Sequence, residues 1–418
     1  MPSPSDAPAD APESLQPRWR VLLTSDLKTL FHLIQDDRLE IQRAYDPARP
    51  PHLIVLACPK LDGGFAEAAR ALPPQAWSHA VVVLDASGKG SESSGKFVRR
   101  LQAFLAERAV PETRCALVTN NRRLTLKGSG VRVLHYDYWL RKMYQASPEQ
   151  AAKDFKRRLR RFRARPSVRA RRFLSFNFTA RRWKLMFLLS LLRDRLWDQG
   201  FISFGGFARL ELSRGGSLKT AAADLLAAEG AADLAAELLP YLPQLDAKGQ
   251  VLFGRIPQTQ DGVLRKATKA GRVLEFEDSW FSATTETEMT ATVDCVTEKS
   301  FKAPLNFHPQ VIMGNPGAMA RLRAFGFQSF SPFIDETYDQ ETDPRRRFEL
   351  AYAEIRRLCA LDEADLARME RELSPVLIAN ARWGVIGLRE QYRRTIDPEL
   401  VSSLLALCPR EAASSIAL

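Results

Sequence analysis

The sequence predicts an α/β protein with two Rossmann-like domains that face one cleft, followed by C-terminal helices. In residues 19–150, short continuous apolar runs alternate with amphipathic segments, as in a parallel sheet buried on both faces. A second alternation of this kind begins at residue 172. The chain has 418 residues, whereas one domain commonly has ~100–200. We therefore expect two domains.

Five apolar runs predict the strands of the N-terminal domain, residues 19–150: RVLLTSD, HLIVLAC, AVVVLDASG, CALVTNN and VRVLHYD. Helices are predicted between them at residues 28–36, 64–71 and 95–107. Strands that alternate with helices in this way form βαβ units. Ligands of such sheets collect at the carboxyl ends of the strands, so Asp26, Asp85 and Asp137 are expected near a cleft.

Composition and charge narrow the class of protein. The net charge of +12 favours anionic partners such as nucleotides, nucleic acid, or acidic glycans or lipids. Five scattered cysteines without a CxxC pair argue against a disulfide framework or zinc ribbon and suit a reducing cytoplasm. Residues 1–18 lack the segments of a signal peptide, so we expect a disordered tail. No apolar run approaches the ~20 residues that span a bilayer, and we expect a cytoplasmic protein.

A basic linker is predicted at residues 151–171. It overlaps the densest charge run of the chain, KDFKRRLRRFRARPSVRARRF, residues 153–173. One interpretation is nucleic-acid binding, in which the arginines neutralise phosphates while Phe155, Phe162 and Phe173 stack on bases. Another is an exposed interdomain helix whose apolar positions dock on a core. Binding to an acidic membrane or glycan surface is a third. The sequence leaves all three open.

The C-terminal domain, residues 172–343, begins with the predicted strand RFLSFNFT. A strongly apolar helix follows, and Arg181, Arg182 and Lys184 lie at its start. Backbone N–H groups at a helix start favour anions, and the added cations would form a diphosphate site. Further strands are predicted in RVLEFEDSWFSATTET, in TVDCV before a helix starting near Thr297, and in PQVIM and FQSF on either side of a turn and helix. Residues 344–418 have helical periodicity and are predicted to pack back on the N-terminal domain.

The order of the motifs in residues 172–343 resembles a known family. A serine–asparagine strand followed by basic residues, then F-E-D-S, V-T-E-K and P-x-V-x-M-G, is similar to the C-terminal half of the α-1,3-fucosyltransferase-like glycosyltransferases. The series T-E-K-S-F-K, G-N-P-G, G-F-x-S-F and D-E-x-Y-D also resembles uncharacterised bacterial and phage proteins regarded as glycosyltransferases. This resemblance implies a GT-B-type enzyme that transfers a sugar from a nucleotide-sugar donor.

The resemblance also implies roles for matching residues. Glu298 would bind the ribose of the donor, and Lys299 would lie beside the phosphates. Thr297 and Glu298 equally fit the start of a helix, where they would act as a cap. Either Arg181 or Arg182 would bind the diphosphate, since the spacing does not decide between them. The full predicted donor site is Asn177, Arg181, Arg182, Glu277, Thr297, Glu298, Lys299, Lys302, Gly314 and Asn315.

The predicted chemistry is an inverting transfer without a metal. The chain contains no Asp-x-Asp pair, so cationic side chains would stabilise the leaving group. No cofactor is expected beyond the nucleotide-sugar co-substrate. Lys299, Glu286 and Asp137 are the predicted catalytic residues, with Glu286 able to take the role that alignment would give to Glu277. The acceptor is open: a glycan, a protein or modified nucleic acid. The alternative function is a nucleic-acid-binding protein that uses residues 153–172.

Overall fold

The computed structural model describes residues 18–24, 29–34, 36–58, 61, 65–88, 94–143, 147–177, 180–207, 231–251, 274–287, 289–331 and 333–409. Several predictions fall at least partly on other residues. The predicted tail up to residue 17, Asp26, and residues 218–230 of a predicted helical region lie outside the described residues.

The N-terminal sheet is formed, among the described residues, by six parallel strands in the order β2-β1-β3-β4-β5-β6. Residues of β3, β4 and β5 are almost all buried, because each begins with four apolar residues and has sheet neighbours on both sides. The strands are β1 (Trp19–Leu23), β2 (Leu39–Gln42), β3 (Leu53–Ala57), β4 (Val81–Ala86), β5 (Cys115–Thr119) and β6 (Arg132–His135).

The C-terminal sheet is parallel and has the order β10-β9-β7-β8. Its strands are β7 (Arg171–Asn177), β8 (Gly200–Phe204), β9 (Ser279–Thr285) and β10 (Gln310–Met313). Counted along the chain, the order is 2-1-3-4, which is also the order of the first four strands of the N-terminal sheet. In both sheets the direction of winding reverses beside the first strand. Open parallel sheets bind ligands outside the carboxyl ends of the strands at such a reversal. In the second sheet that point lies between β7 and β9.

Helices connect and cover the two sheets. Of these, α5 is apolar on every face and is buried from Trp183 to Leu191, since it packs between the sheet and later helices. The helices are α1 (Phe65–Ala68), α2 (Gly95–Glu107), α3 (Tyr138–Lys142), α4 (Pro148–Arg163), α5 (Arg182–Arg193), α6 (Ala232–Leu238), α7 (Leu242–Lys248), α8 (Leu274–Glu277), α9 (Glu298–Leu305), α10 (Ala318–Ala324), α11 (Pro344–Ala360), α12 (Glu363–Arg382), α13 (Leu388–Gln391) and α14 (Asp397–Leu405). Two π-helical turns, Trp383–Gly387 and Tyr392–Ile396, flank α13.

Direct contacts join the two sheets. Asn121, after β5, accepts a hydrogen bond from the backbone N–H of Asp294 at 2.9 Å, and the N–H of Arg122 donates to the carbonyl of Asp294 at 3.0 Å. At the end of the chain, the buried carboxylate of Asp397 accepts bonds from Tyr136 Oη at 2.7 Å and Arg141 Nε at 2.8 Å. The last described helix therefore lies against the N-terminal sheet.

The predicted mixed α/β class is confirmed, with two parallel sheets. The prediction of helix 95–107 is also confirmed. Four other predictions are wrong. Residues 274–277 are helical and not part of a strand. The predicted strands TVDCV, residues 292–296, and FQSF, residues 327–330, do not form. The predicted helix at 28–36 contains only the 3₁₀ turn Leu30–His32 within its described part. None of the described helices is long and apolar enough to cross a membrane.

The aromatic rings of the basic charge run are packed against other residues of the chain. Phe155 and Phe162 stack on Phe307, with centroids 6.1 and 4.8 Å apart, and Phe173 lies in β7 with no exposed surface. These rings are used in packing and do not form a platform for bases. Helix α4 packs its apolar side on Phe307, which follows α9, and on the π-helical turn Trp383–Gly387, as an amphipathic helix is expected to do.

Candidate functional site

Glu286 organises the carboxyl end of β9. Its carboxylate is buried and accepts hydrogen bonds from Thr297 N at 2.9 Å, Thr297 Oγ1 at 2.6 Å and Ser300 Oγ at 2.6 Å, with a longer bond from Thr287 N at 3.2 Å. Both oxygens therefore hold the start of α9 against the end of β9. A buried acceptor satisfied in this way is a strong local constraint. Glu286 positions the TEK segment.

Thr297 is the N-cap of α9. Its backbone is extended, and its side chain accepts a weak bond from Lys299 N at 3.5 Å. The prediction of a helix that starts near Thr297 is confirmed. The capping interpretation holds for Thr297. Glu298 occupies the first helical position, and its carboxylate lies among Lys184, Lys299 and Lys302, which we call the lysine cluster.

Glu298 and Lys299 lie side by side at this helix start. Lys299 Nζ is 3.5 Å from Glu298 Oε1 and 3.8 Å from Glu286 Oε2, and it donates to Thr297 Oγ1 at 2.8 Å and Thr287 Oγ1 at 3.1 Å. Burial opposes ionisation of Glu298, but Lys299, Lys302 and Lys184 prevail and hold its pKa below the ordinary value. The carboxylate is therefore ionised at neutral pH.

Lys184 and Lys302 are almost completely buried, with 3% and 5% of their surfaces exposed. Neither has a carboxylate within ion-pair distance in the part of the chain that the structure describes. Burial lowers the pKa of Lys184 well below its ordinary value, and Lys299 and Arg181 lower it further. Burial also lowers the pKa of Lys302 to about 8, although Glu298 opposes this. The Lys302 amine lies 5.0 Å from the centroid of the Phe176 ring.

A pocket lies beside β9 and α9, with an empty volume of about 260 Å³ that includes the adjoining open solvent. Its lining includes Lys299, Lys302, Thr285 at the end of β9, and the rings of Phe176 and Phe276. The pocket thus combines two ammonium groups with apolar walls at the reversal between β7 and β9. Ligand pockets commonly have this composition of apolar lining and a few placed polar groups.

Three predicted donor-site residues have other interactions. Asn177 uses its amide within the sheet, donating to Ser175 Oγ at 2.9 Å and accepting from Thr285 Oγ1 at 2.6 Å. A Cβ on Gly314 would lie 3.2 Å from Cβ and Cγ of Glu286, so glycine allows the close approach of that residue. Asn315 donates to the Thr290 carbonyl at 2.9 Å, while its buried Oδ1 accepts no hydrogen bond from the described residues. Of these three, only Asn315 has an acceptor left for a ligand.

The remaining predicted residues are dispersed. Arg181 is exposed at the N-cap of α5, near enough to affect the pKa of Lys184, and Arg182 is half-buried in the first turn. Glu277 lies before β9, beside Arg158 and Arg165 and away from the TEK segment. The structure therefore places Glu286 at the lysine cluster, and Glu277 outside it.

Asp137 lies where the two sheets meet. It forms an ion pair with Arg122 at 2.8 Å. Burial raises its pKa, while Arg122 and Arg321 oppose that shift. Arg321 also pairs with Asp294, so charged groups from both sheets surround Asp137.

Asp85, by contrast, accepts from the N–H of Leu30 at 2.6 Å and from Ser87, and so holds a turn of the N-terminal sheet.

The GNPG turn is followed by α10, whose first N–H groups are occupied. Asp339 accepts from Met319 N at 2.8 Å and Ala320 N at 2.9 Å, and its carbonyl accepts from Gly317 N at 2.7 Å. Gly317 has φ of 84°, a backbone conformation that glycine adopts readily. The acidic motif DETYD thus caps this helix from within the chain.

Sequence reasoning missed several contributors to the cluster: Phe176 beneath Lys302, and Thr287 and Ser300 around Glu286 and Lys299. For Phe176 a signal existed, since it alternates with Ser175 and Asn177 along β7 and therefore points to the opposite face of the sheet. Thr287 and Ser300 lie in different loops and helices, and only the folded chain brings them together.

Groups of three or more histidine, cysteine, aspartate or glutamate residues that could hold a metal ion are absent among the residues placed by the structure. Comparison of the chain with protein-family models, with curated proteins and with solved structures yields no match.

Proposed function

We propose that the protein is a glycosyltransferase that uses a nucleotide-sugar donor, with two Rossmann-like domains arranged as in GT-B enzymes. The observation that carries the proposal is the surplus of amines over carboxylates beside β7 and β9. The three amines of Lys184, Lys299 and Lys302 gather around two carboxylates, Glu298 and Glu286, and burial lowers the pKa of Lys184 and Lys302 there. Buried charge without equal compensation is costly. A bound diphosphate would supply the missing negative charge.

Within this proposal, Glu298 accepts hydrogen bonds from ribose hydroxyls and Lys299 donates to the phosphates. The order of the motifs supports these roles, as does the position of both side chains at the start of α9. Arg181 is the better candidate for a second phosphate contact, because it is exposed and electrostatically coupled to Lys184. Glu286 has a positioning role, since its oxygens are occupied.

In the proposed reaction an acceptor oxygen attacks the anomeric carbon and the bond from that carbon to the diphosphate breaks. The electron pair leaves with the diphosphate oxygen, and the adjacent lysines stabilise the developing charge. A carboxylate must accept the acceptor proton. We propose Asp137 for this step, since its pKa is raised by burial and groups of both sheets surround it.

A thermal-shift panel tests the donor proposal. We expect GDP, UDP, ADP, dTDP or CMP to stabilise the protein equally with and without EDTA. One nucleotide at ~100 times its dissociation constant should add about 2.7 kcal/mol to the free energy of unfolding. The absence of a shift with every nucleotide would refute the proposal. Binding that depends on EDTA-sensitive metal would refute its metal-independent form.

A further inference from the structure

A second pocket, with an empty volume of about 320 Å³, opens where the end of α4 meets the end of α9. It lies near the amino ends of β9 and β10, because Phe276 and Glu277 precede β9 and Asn306 and Phe307 precede β10. The lysine cluster lies at the carboxyl end of β9 instead. The lining residues are Arg158, Arg161, Phe162, Arg165, Phe276, Glu277, Asn306 and Phe307.

Two of the arginines are buried and hold α9. Arg158 donates to Asn306 Oδ1 at 2.7 Å, and Arg165 donates to the carbonyls of Asn306 and Phe307 at 2.7 and 3.1 Å. Burial lowers the pKa of each guanidinium to about 10. Both remain charged at neutral pH, within a wall formed by the stacked rings of Phe162 and Phe307.

The third arginine, Arg161, is half-buried at the pocket and forms no ion pair with any residue in the described ranges. It follows Arg158 by three positions, so both lie on one face of α4. Because Arg161 forms no ion pair among the described residues, its guanidinium is available to a ligand.

The charges around the pocket do not balance. Arg158, Arg161 and Arg165 line it, and Arg169 is close behind, where Glu370 pairs with Arg165 and Arg169. Glu277 is a second nearby carboxylate, and Asp154, which pairs with Arg157, is a third, so five guanidinium groups face three acids. The carboxyl ends of α4 and α9 converge here, and each helix end offsets about half an elementary charge. About one positive charge is left over.

We propose that this arginine pocket binds a small oxyanion, a phosphate or carboxylate group, separately from the nucleotide-sugar site. Guanidinium groups present paired N–H donors that match the oxygens of such groups. The phenylalanine wall reduces solvent screening and strengthens the contact. The inference does not depend on the proposed glycosyl transfer, since the two sites share no charged residue.

The test measures the melting temperature of the full chain with inorganic phosphate, pyrophosphate or citrate, against sodium chloride at matched ionic strength. We expect at least one of these anions to stabilise the wild type beyond the chloride reference. Arg161→Gln should weaken that anion about tenfold or more, because a charge-assisted bond is lost. Arg160→Gln is the matched control, as Arg160 is exposed on the same helix outside the pocket.

A second variant separates the two sites. Lys299→Ala should keep the anion response of the arginine pocket while losing any nucleotide response, and Arg161→Gln should do the reverse. Circular dichroism checks that Arg161→Gln is folded, and Arg161→Lys should retain part of the response. Equal anion responses in wild type and Arg161→Gln, or no response to any of the three anions, would overturn the inference.

Discussion

Lys302 is held where a protonated amine is costly. Its side chain is 5% exposed, and Glu298 is the carboxylate that most supports its charge. The contact with the Phe176 ring, 5.0 Å away, contributes only about 0.5–2 kcal/mol in general, which is less than the cost of desolvating an ammonium group. A buried lysine that is maintained against this cost points to binding more than to stability.

Lys302→Met removes the charge and keeps a long apolar side chain. We expect the free energy of unfolding to rise by about 1–2 kcal/mol, as when other buried charges are replaced by apolar groups. Nucleotide affinity should fall in the same variant. Urea unfolding and nucleotide titration measure the two effects. Loss of stability with unchanged nucleotide affinity would mean that Lys302 is structural.

The pH dependence of stability follows from the same residue. The pKa of Lys302 is about 8 in the folded protein against 10.5 as the ordinary value. Between these values the unfolded chain holds the proton and the folded chain has released it, so the contribution of Lys302 makes wild-type stability rise with pH. Below pH 8 both states are protonated and this contribution is constant. Urea unfolding at several pH values should show the rise in wild type relative to Lys302→Met. Parallel curves for the two proteins would contradict the assignment.

At the scale of single elements, the carboxylate of Glu286 stabilises the start of α9. Its oxygens accept from Thr297 and Ser300, so one carboxylate fixes both the cap and the first turn. Asp339 does the same for α10, through Met319 and Ala320. In both cases a carboxylate from another segment of the chain satisfies N–H or O–H groups at a helix start, where unsatisfied donors are otherwise exposed.

Glu286→Gln keeps the size of this side chain and removes its charge. The new amide would direct a donor at groups that already donate, so we expect a loss of about 1–3 kcal/mol in the free energy of unfolding. Nucleotide binding should weaken too, because Glu298 and Lys299 would lose their fixed positions. Urea unfolding with Glu363→Gln as an exposed control measures the first effect. A variant as stable as the control would show that the capping network is unimportant.

The strands and helices of this chain differ in how clearly the sequence predicts them. Strands β3, β4 and β5 are central and mostly apolar, with polar residues only near the carboxyl ends of β4 and β5, so composition alone marks them. Strands β2 and β8 were not predicted: β2 is a short edge strand with polar residues, and β8 directly follows a long apolar helix. The T-E-K segment is indicated by its place in the ordered motifs, and the capping residue Thr297 predicts the start of α9. The pairing of Glu286 with Ser300 joins two elements, and no local pattern encodes it.

At the scale of the whole molecule, the chain forms the N-terminal sheet first and the C-terminal sheet second, and its last described helix packs back on the N-terminal sheet. The packing of this C-terminal helix is fixed by Asp397, which is buried between Tyr136 and Arg141. Arg38 adds bonds to Ser402 Oγ and the Pro398 carbonyl at 2.9 and 3.1 Å. These contacts lie far along the chain from the lysine cluster of the C-terminal sheet. The effect of this helix packing on stability and the effect of the lysine cluster on ligand binding can therefore be separated experimentally.

Asp397→Ala should separate these two properties. The change leaves the buried Arg141 guanidinium without its carboxylate, and breaking such a pair costs about 3–5 kcal/mol. We expect a lower melting temperature but the same stabilisation by the nucleotide that binds the wild type, since the lysine cluster is untouched. Thermal denaturation with and without that nucleotide measures both. Arg394→Ala, which removes an exposed ion pair with Glu390, is the control and should have little effect on either property. Loss of stabilisation by the nucleotide in Asp397→Ala would contradict this expectation. The packing of α14 on the N-terminal sheet would then have to be coupled to the binding site, and the two sheets could not be treated as independent in ligand binding.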